Sequence, residues 1–299
     1  MKPALLFYCQ HSVGVGHLMR SFALARSLAQ HFRVVFLNGG PIPLGLRVPA
    51  GVELIDLPPL GMEDGHNLSS RGGKVDVTVA KEIRRTKVMA AFNANKPNVV
   101  LIELFPFGRK KFAFELLPLL KQARRGDAVV ISSVRDILVN ARPDQQRHDD
   151  RAAWLCRRYF DAVLVHADPR LARFEESFNP SKPLAVPLQY TGLVSAVRED
   201  AAPRERARAV LVSAGGGLVG YPLLAAALQA HALLPEAGRW PMKIVAGPFL
   251  PEVEWRELQQ QAAGRADVSL LRSVPDLADE MRRASLSISQ CGYNTAVDI

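Results

Sequence analysis

Three segments carry residues whose types and spacing could handle a phosphate-bearing ligand. HSVGVGHLMR (11–20) and SAGGGLVG (213–220) are glycine-rich turns between an apolar run and a helical pattern, and CGYNTAVD (291–298) opens a third helical stretch. Glycines let a ligand approach the backbone, and amides at a helix N-terminus bind anions. His17 begins the helical pattern after the first turn, where the positive end of the helix dipole favours the neutral imidazole needed by a general base. Glu103 and Asp136 close two further apolar runs, where either could orient His17 or take a proton itself. Plainer roles compete with each: a His that only caps its turn, carboxylates paired to a neighbour such as Arg135, and glycines that only tighten a loop.

Two nucleotide-binding readings fail on their own residues. A dinucleotide fingerprint needs a third glycine where Met19 stands and an acidic residue where Asn38 ends the second strand. Gly215 and Gly220 have Walker A spacing, but Tyr221 and Pro222 replace the Lys and the hydroxyl residue that would hold phosphate and magnesium.

The elements that must position these residues alternate in the manner of βα units. Apolar runs at 4–9, 34–37, 52–57, 98–104, 128–133, 162–166 and 184–188 predict strands, with helical periodicity over 17–30, 75–92, 112–125 and 151–160. After a polar stretch the rhythm restarts, with strands at 209–213, 242–247, 267–271 and 285–289 and helices between them. The expected organisation is an N-terminal Rossmann-like domain over 1–194, a linker over 195–208 and a second Rossmann-like domain over 209–299. About 100 residues follow the linker, fewer than such a sheet needs to close, so the second domain is read as incomplete.

Composition narrows the class. The chain has 299 residues, 48% of them hydrophobic, and a formal charge of +9. Up to residue 200 there are 28 basic and 19 acidic residues and afterwards ten of each, so the excess lies entirely in the first part. That suggests an anionic partner, against the plainer reading of a solvated basic surface. Cys9, Cys156 and Cys291 are dispersed and odd in number, which supports neither a disulfide framework nor a zinc site and makes a reducing, cytoplasmic setting the expectation. No secretory leader or membrane span is expected; 218–234 reads as a buried helix. Basic clusters in 82–87, 109–111 and 123–125 read as helix surfaces, and Asp149–Asp150 beside His148 as a surface loop.

QHSVGVGHLMR (10–20), ELFPFGR (103–109), SVRDIL (133–138), VSAGGG (212–217) and SQCGYNT (289–295) together resemble a group of predicted glycosyltransferases. That group is related to the GT-B enzyme adding N-acetylglucosamine to the lipid-linked peptidoglycan precursor (glycosyltransferase family 28-like). The resemblance runs over essentially the whole chain. It implies an α/β GT-B fold, two doubly wound Rossmann-like domains facing a cleft, and an inverting, metal-independent glycosyltransferase without cofactor whose donor is a nucleotide sugar, UDP-linked by expectation.

By the same resemblance the donor meets Gly215, Gly216 and Gly217 with its diphosphate, and Val274 with its base. Gly292, Asn294 and Thr295 open a helix against the phosphates. Asp298 stands where related enzymes hold the ribose with a Glu, so the reach is one methylene shorter. Gly14, Gly16 and Arg20 belong to the acceptor-side turn, and His17, Glu103 and Asp136 to the chemistry. The acceptor is unidentified, with an anionic or lipid-linked molecule suggested by the charge and peripheral contact with an anionic inner membrane face as a corollary. No nucleic acid is expected, because no basic motif interleaved with aromatics is present. A nucleotide-sugar 2-epimerase of the same fold and a non-enzymatic binder of anionic surfaces remain as alternatives.

Overall fold

The computed structural model describes residues 2–11, 16–43, 46–62, 68–70, 76–135, 137–138, 142–195, 205–290 and 292–298, with the side chains of residues 62, 293, 294 and 298 outside that description. Gly14 and Asp136 lie outside the described residues, as do the side chains of Asn294 and Asp298. In chain order the elements are β1 (Ala4–Cys9), α1 (Gly16–Leu28), β2 (Arg33–Asn38), β3 (Val52–Asp56), β4 (Leu60–Met62), β5 (Leu68–Ser70), α2 (Val77–Asn95), β6 (Val99–Glu103), α3 (Ala113–Ala123), β7 (Val129–Arg135), α4 (Gln145–Tyr159), β8 (Ala162–His166) and β9 (Leu188–Tyr190). They continue with β10 (Ala207–Ser213), α5 (Tyr221–Ala232), β11 (Met242–Val245), α6 (Glu252–Ala262), β12 (Val268–Leu271), α7 (Leu277–Arg283), β13 (Ala284–Ser289) and α8 (Tyr293–Asp298).

The chain divides into two compact units, Met1–Ser12, Ser21–Pro41 and Val48–Val194 forming the first and Val13–Arg20, Ile42–Arg47 and Ser195–Ile299 the second. The division falls inside α1. The first unit holds a seven-stranded parallel sheet in the order β3-β2-β1-β6-β7-β8-β9. Strand order reverses between β1 and β6, which makes the space beyond their carboxyl ends the switch point of a doubly wound sheet.

Alternation along the strands fixes the layers. In β1, Leu6 and Tyr8 enter the large core shared with α2, α3 and α4 through Val88, Leu116, Leu119 and Leu155. Phe7 points to the other face, where its ring and that of Phe22 on α1 each lie 5.1 Å from the Phe36 ring. Asp76 caps α2 by accepting from the amides of Thr78 (2.7 Å) and Val79 (3.4 Å), and Lys96 ends it with a left-handed φ of 42°.

The second unit holds a four-stranded parallel sheet in the order β12-β11-β10-β13, with its reversal between β10 and β13. Val210 and Val212 of β10 pack with Leu224 and Leu228 of α5 and Leu258 of α6, while Leu211 faces Leu277 and Met281 of α7.

Several expectations need correction. The run 184–188 is not the strand: pairing with β8 begins at Leu188, because Pro187 has no N–H to donate and serves only as acceptor for the Val163 amide at 3.0 Å. The antiparallel pair β4–β5 was not expected, since three-residue strands are too short to set up a readable alternation. Strand β10 begins at Ala207, inside the stretch read as linker. Asp149 and Asp150 sit in α4, six residues of which precede the predicted start. Asp149 is buried there, accepting from Gln145 Nε2 (2.7 Å) and the Asn179 amide (3.0 Å).

Candidate functional site

In the second unit the glycine turn after β10 and the turn after β13 both lie at the switch point. They touch: the Gln290 amide donates to the Ser213 carbonyl (3.3 Å) and Gln290 Nε2 to the Val219 carbonyl (3.4 Å). Gly215 and Gly217 have φ of +56° and +90°, the left-handed region that glycine tolerates best. A Cβ on Gly217 would stand 2.5 Å from the Ala246 carbonyl oxygen, and one on Gly247 2.4 Å from the Gly217 amide nitrogen, so two glycine turns press backbone to backbone. The Phe249 amide fastens them by donating to the Gly216 carbonyl at 2.9 Å.

Beyond this contact α5 starts at Gly220 without a side-chain cap and with Pro222 in its first turn. The amides of a helix's first turn have no partner within the helix. The hydroxyl of Ser213, at the last position of β10, is buried and has no hydrogen-bond partner among the described residues. These are the groups an anion would engage.

Val274 follows β12, two strands from the switch point, and half-buries its side chain against Leu211, Val245 and Ala284. Two residues earlier, the Arg272 carbonyl accepts from the Gly247 amide at 2.9 Å. Arg272 is held by Glu252, by the Leu250 carbonyl at 3.0 Å and over the Trp255 ring at 4.6 Å. Gly292 is exposed just before α8, on which Thr295 is half-buried.

Gly16 and His17 open α1 and Arg20 is buried one turn on, with its Nη2 3.4 Å from His17 Nδ1. A guanidinium only donates, so Nδ1 is the accepting nitrogen and the neutral ring carries its hydrogen on Nε2. In the first unit Glu103 ends β6, fully buried, opposite Ser133 of β7. Ser133 Oγ lies 2.8 Å from Nε2 of buried His166, whose Nδ1 lies 2.7 Å from Thr191 Oγ1. Both ring nitrogens of His166 therefore meet hydroxyls, a cluster that sequence reasoning missed.

It also missed the most heavily built feature of this unit. Arg84, in a cluster read as solvated surface, is 0% exposed. Its Nη2 donates to Glu115 Oε1 (2.6 Å), Gln10 Oε1 (2.6 Å) and the Tyr8 hydroxyl (3.2 Å), and its Nε to Glu115 Oε2 (3.0 Å). Its Nη1 reaches the carbonyls of Gly39 (3.1 Å) and Pro58 (2.9 Å), and the guanidinium sits 5.1 Å from the centre of the Phe112 ring. Burial pushes the Tyr8 hydroxyl well above its ordinary pKa, and the neighbouring Glu115 pushes it further, so it stays protonated and donates to that carboxylate. A readable signal existed: Arg84 falls on the buried stripe Ala80–Val88–Ala91 of α2, and Glu115 on the stripe Leu116–Leu119–Ala123 of α3.

Among the described residues no three His, Cys, Asp or Glu side chains converge to hold a metal, and no helix is long and apolar enough to cross a membrane.

The chain matches no protein-family model and no curated protein by sequence. It is similar to three kinds of solved structure. Glycyrrhiza uralensis UGT73P12 complexed with glycyrrhetinic acid 3-O-monoglucuronide has a TM-score of 0.60 at 12% identity, with 100% of this chain and 74% of that one covered. The spinosyn rhamnosyltransferase SpnG, also solved with thymidine diphosphate, has 0.53 at 19% identity, covering 99% and 77%. A Listeria monocytogenes protein described as a UDP-N-acetylglucosamine 2-epimerase has 0.56 at 11% identity, covering 98% and 75%. At these identities the likeness is one of architecture, and with a parallel sheet whose strand order reverses in each of its two units, the chain has the GT-B fold.

Proposed function

We propose that the protein is a glycosyltransferase that moves a sugar from a nucleotide-sugar donor to an acceptor hydroxyl with inversion. The observation that carries this reading is the turn after β10: left-handed glycines, an α5 without a side-chain cap and a Ser213 hydroxyl without a partner among the described residues, all at a switch point. As the bond from sugar to diphosphate breaks, negative charge grows on the leaving group, and fixed amides stabilise it without reorganising. Gly215, Gly216 and Gly217 would face the diphosphate, Val274 the base, and Gly292, Asn294, Thr295 and Asp298 the phosphates and ribose. SpnG was also solved with thymidine diphosphate, which supports a nucleoside diphosphate here.

His17 is the proposed base for the acceptor hydroxyl, with Gly14, Gly16 and Arg20 proposed as acceptor-side residues, Gly16 and Arg20 lying with it on the first turns of α1; Glu103 and Asp136 are proposed as carboxylates of the first unit that serve the same proton chemistry. Proton uptake at Nδ1 requires the Arg20 contact to give way, since that guanidinium now donates to the same nitrogen. The basic excess before residue 200, with Arg85 and Lys87 exposed on α2, Lys121 on α3 and Arg124 just after it, supports an anionic or lipid-linked acceptor.

The test is a thermal-shift panel of UDP- and TDP-linked sugars. A donor at 100 times its dissociation constant adds about 2.7 kcal/mol of stability and raises the melting temperature; no shift with any of them would overturn the reading. The epimerase neighbour favours a second reading, in which the sugar is inverted at C2 while still on the nucleotide. Incubation with a binding nucleotide sugar and no acceptor separates the two, because only an epimerase yields a new nucleotide sugar.

A further inference from the structure

The first unit contains a buried ion pair whose contacts are more specific than stability requires. Replacing a buried pair by apolar residues of similar volume is often neutral or stabilising, whereas a charged fork fixes the position of every acceptor it binds. The Arg84 guanidinium binds four separate stretches of chain: Glu115 on α3, Tyr8 and Gln10 at the end of β1, Gly39 after β2 and Pro58 after β3. Gln10 passes the constraint on, since its Nε2 donates to the carbonyls of His11 (3.0 Å) and Leu60 (3.2 Å).

Packing reinforces this aim. A Cβ on Gly39 would stand 2.1 Å from Gln10 Oε1, and one on Gly40 2.3 Å from the His11 carbonyl oxygen and 2.7 Å from its ring. Asn38 closes the set: its Nδ2 donates to the Gly40 carbonyl (2.7 Å) and Asp56 Oδ1 (2.8 Å), so its Oδ1 accepts from His11 Nε2 at 3.0 Å. Gln10 and His11, both buried, are thus held by side chain and backbone at the point where the chain leaves β1 for the turn before α1.

We infer that Arg84 and Glu115 are positioning residues that set the conformation of Gln10–His11 and of the Gly39–Gly40 loop packed on them, and with it the start of the turn that precedes His17. The inference rests on the proposed function only in giving that turn an acceptor-side role.

Amide hydrogen exchange by NMR tests it without any substrate. The triple variant Tyr8→Phe, Arg84→Met and Glu115→Leu removes the buried charges and leaves Gln10 and the Gly39 and Pro58 carbonyls without the guanidinium that holds them. The amides of Gly39, bonded to the Cys9 carbonyl, and Leu57, bonded to the Asn38 carbonyl, should exchange at least about tenfold faster. Asn98 and Val129, bonded at the opposite end of the same sheet to Ala4 and Asn98, should keep their wild-type rates. Equal acceleration of all four would mean the pair only adds global stability, and no acceleration would mean it positions nothing; either overturns the inference. Gln10→Met, which leaves the ion pair intact, decides the matter if the triple variant does not fold: it should accelerate Gly39 alone among Gly39, Asn98 and Val129, and an unchanged Gly39 would overturn the inference. Failure of wild-type protein to bind UDP would sink the proposed function and leave these rates as they are.

Discussion

The two units solve the same problem, shaping loops at the carboxyl ends of a parallel sheet, with different materials. In the first, side chains do it: Arg84, Glu115, Tyr8, Gln10, His11 and Asn38 form a buried polar mesh around the ends of β1 and β2. In the second, backbone does it: Gly217 and Gly247 meet with no room for a Cβ, and no side chain caps α5. The contrast bears on function. A mesh that satisfies its own members is suited to holding a loop still, whereas a turn of bare amides leaves donors for an anion.

The largest expected effect breaks the first arrangement. Arg84→Ala leaves the Glu115 carboxylate buried without its cation and should cost about 3–5 kcal/mol in denaturant unfolding; a loss below 1 kcal/mol would show that water or a rearrangement replaces the guanidinium. Next comes the backbone arrangement. Gly217→Ala meets a carbonyl oxygen at 2.5 Å from a φ of +90° and should cost about 2–3 kcal/mol. Gly215→Ala, at φ +56° with nothing within 4 Å, should cost only about 1–2 kcal/mol. Equal losses at the two glycines would remove the argument from close packing.

The smallest effect contrasts the buried pair with an exposed one. Arg170 hydrogen-bonds the Asp168 carboxylate and holds its pKa down at about 2, below the ordinary 3.8. Because the folded-state value is the lower, this contribution is fully present above pH about 4 and disappears as pH falls toward 2. The Asp168 carboxyl carbon shift should titrate near 2 in wild type and at a higher pH in Arg170→Ala, still short of the ordinary value because the amide of residue 170 keeps donating to Oδ1, with little change in neutral-pH stability.

Much of this was legible before the fold was known, for physical reasons that mark the limits. Long apolar runs such as Ala4–Cys9 and Val99–Glu103 are strands buried on both faces, and the switch from period 2 to 3.6 after each located its helix. The glycine turn after β10 was legible because the positive φ of Gly215 and Gly217 and the backbone contact at Gly217 demand glycine. Arg84 was missed although it falls on the Ala80–Val88–Ala91 stripe, because EIRRTK reads as a charged helix surface until α3 brings Glu115 against it from 31 residues away. Likewise His166 is an ordinary strand end in sequence, and only the pairing of β7 with β8 sets Ser133 beside it.

The central claim is that the backbone-built turns of the second unit take a nucleoside diphosphate while the side-chain mesh of the first does not. Hydrogen–deuterium exchange of the full chain with and without saturating UDP tests it most directly. The account predicts slower exchange over 213–222 and 289–295 and unchanged exchange over 4–11; absence of protection over 213–222, or protection confined to 4–11, would contradict it.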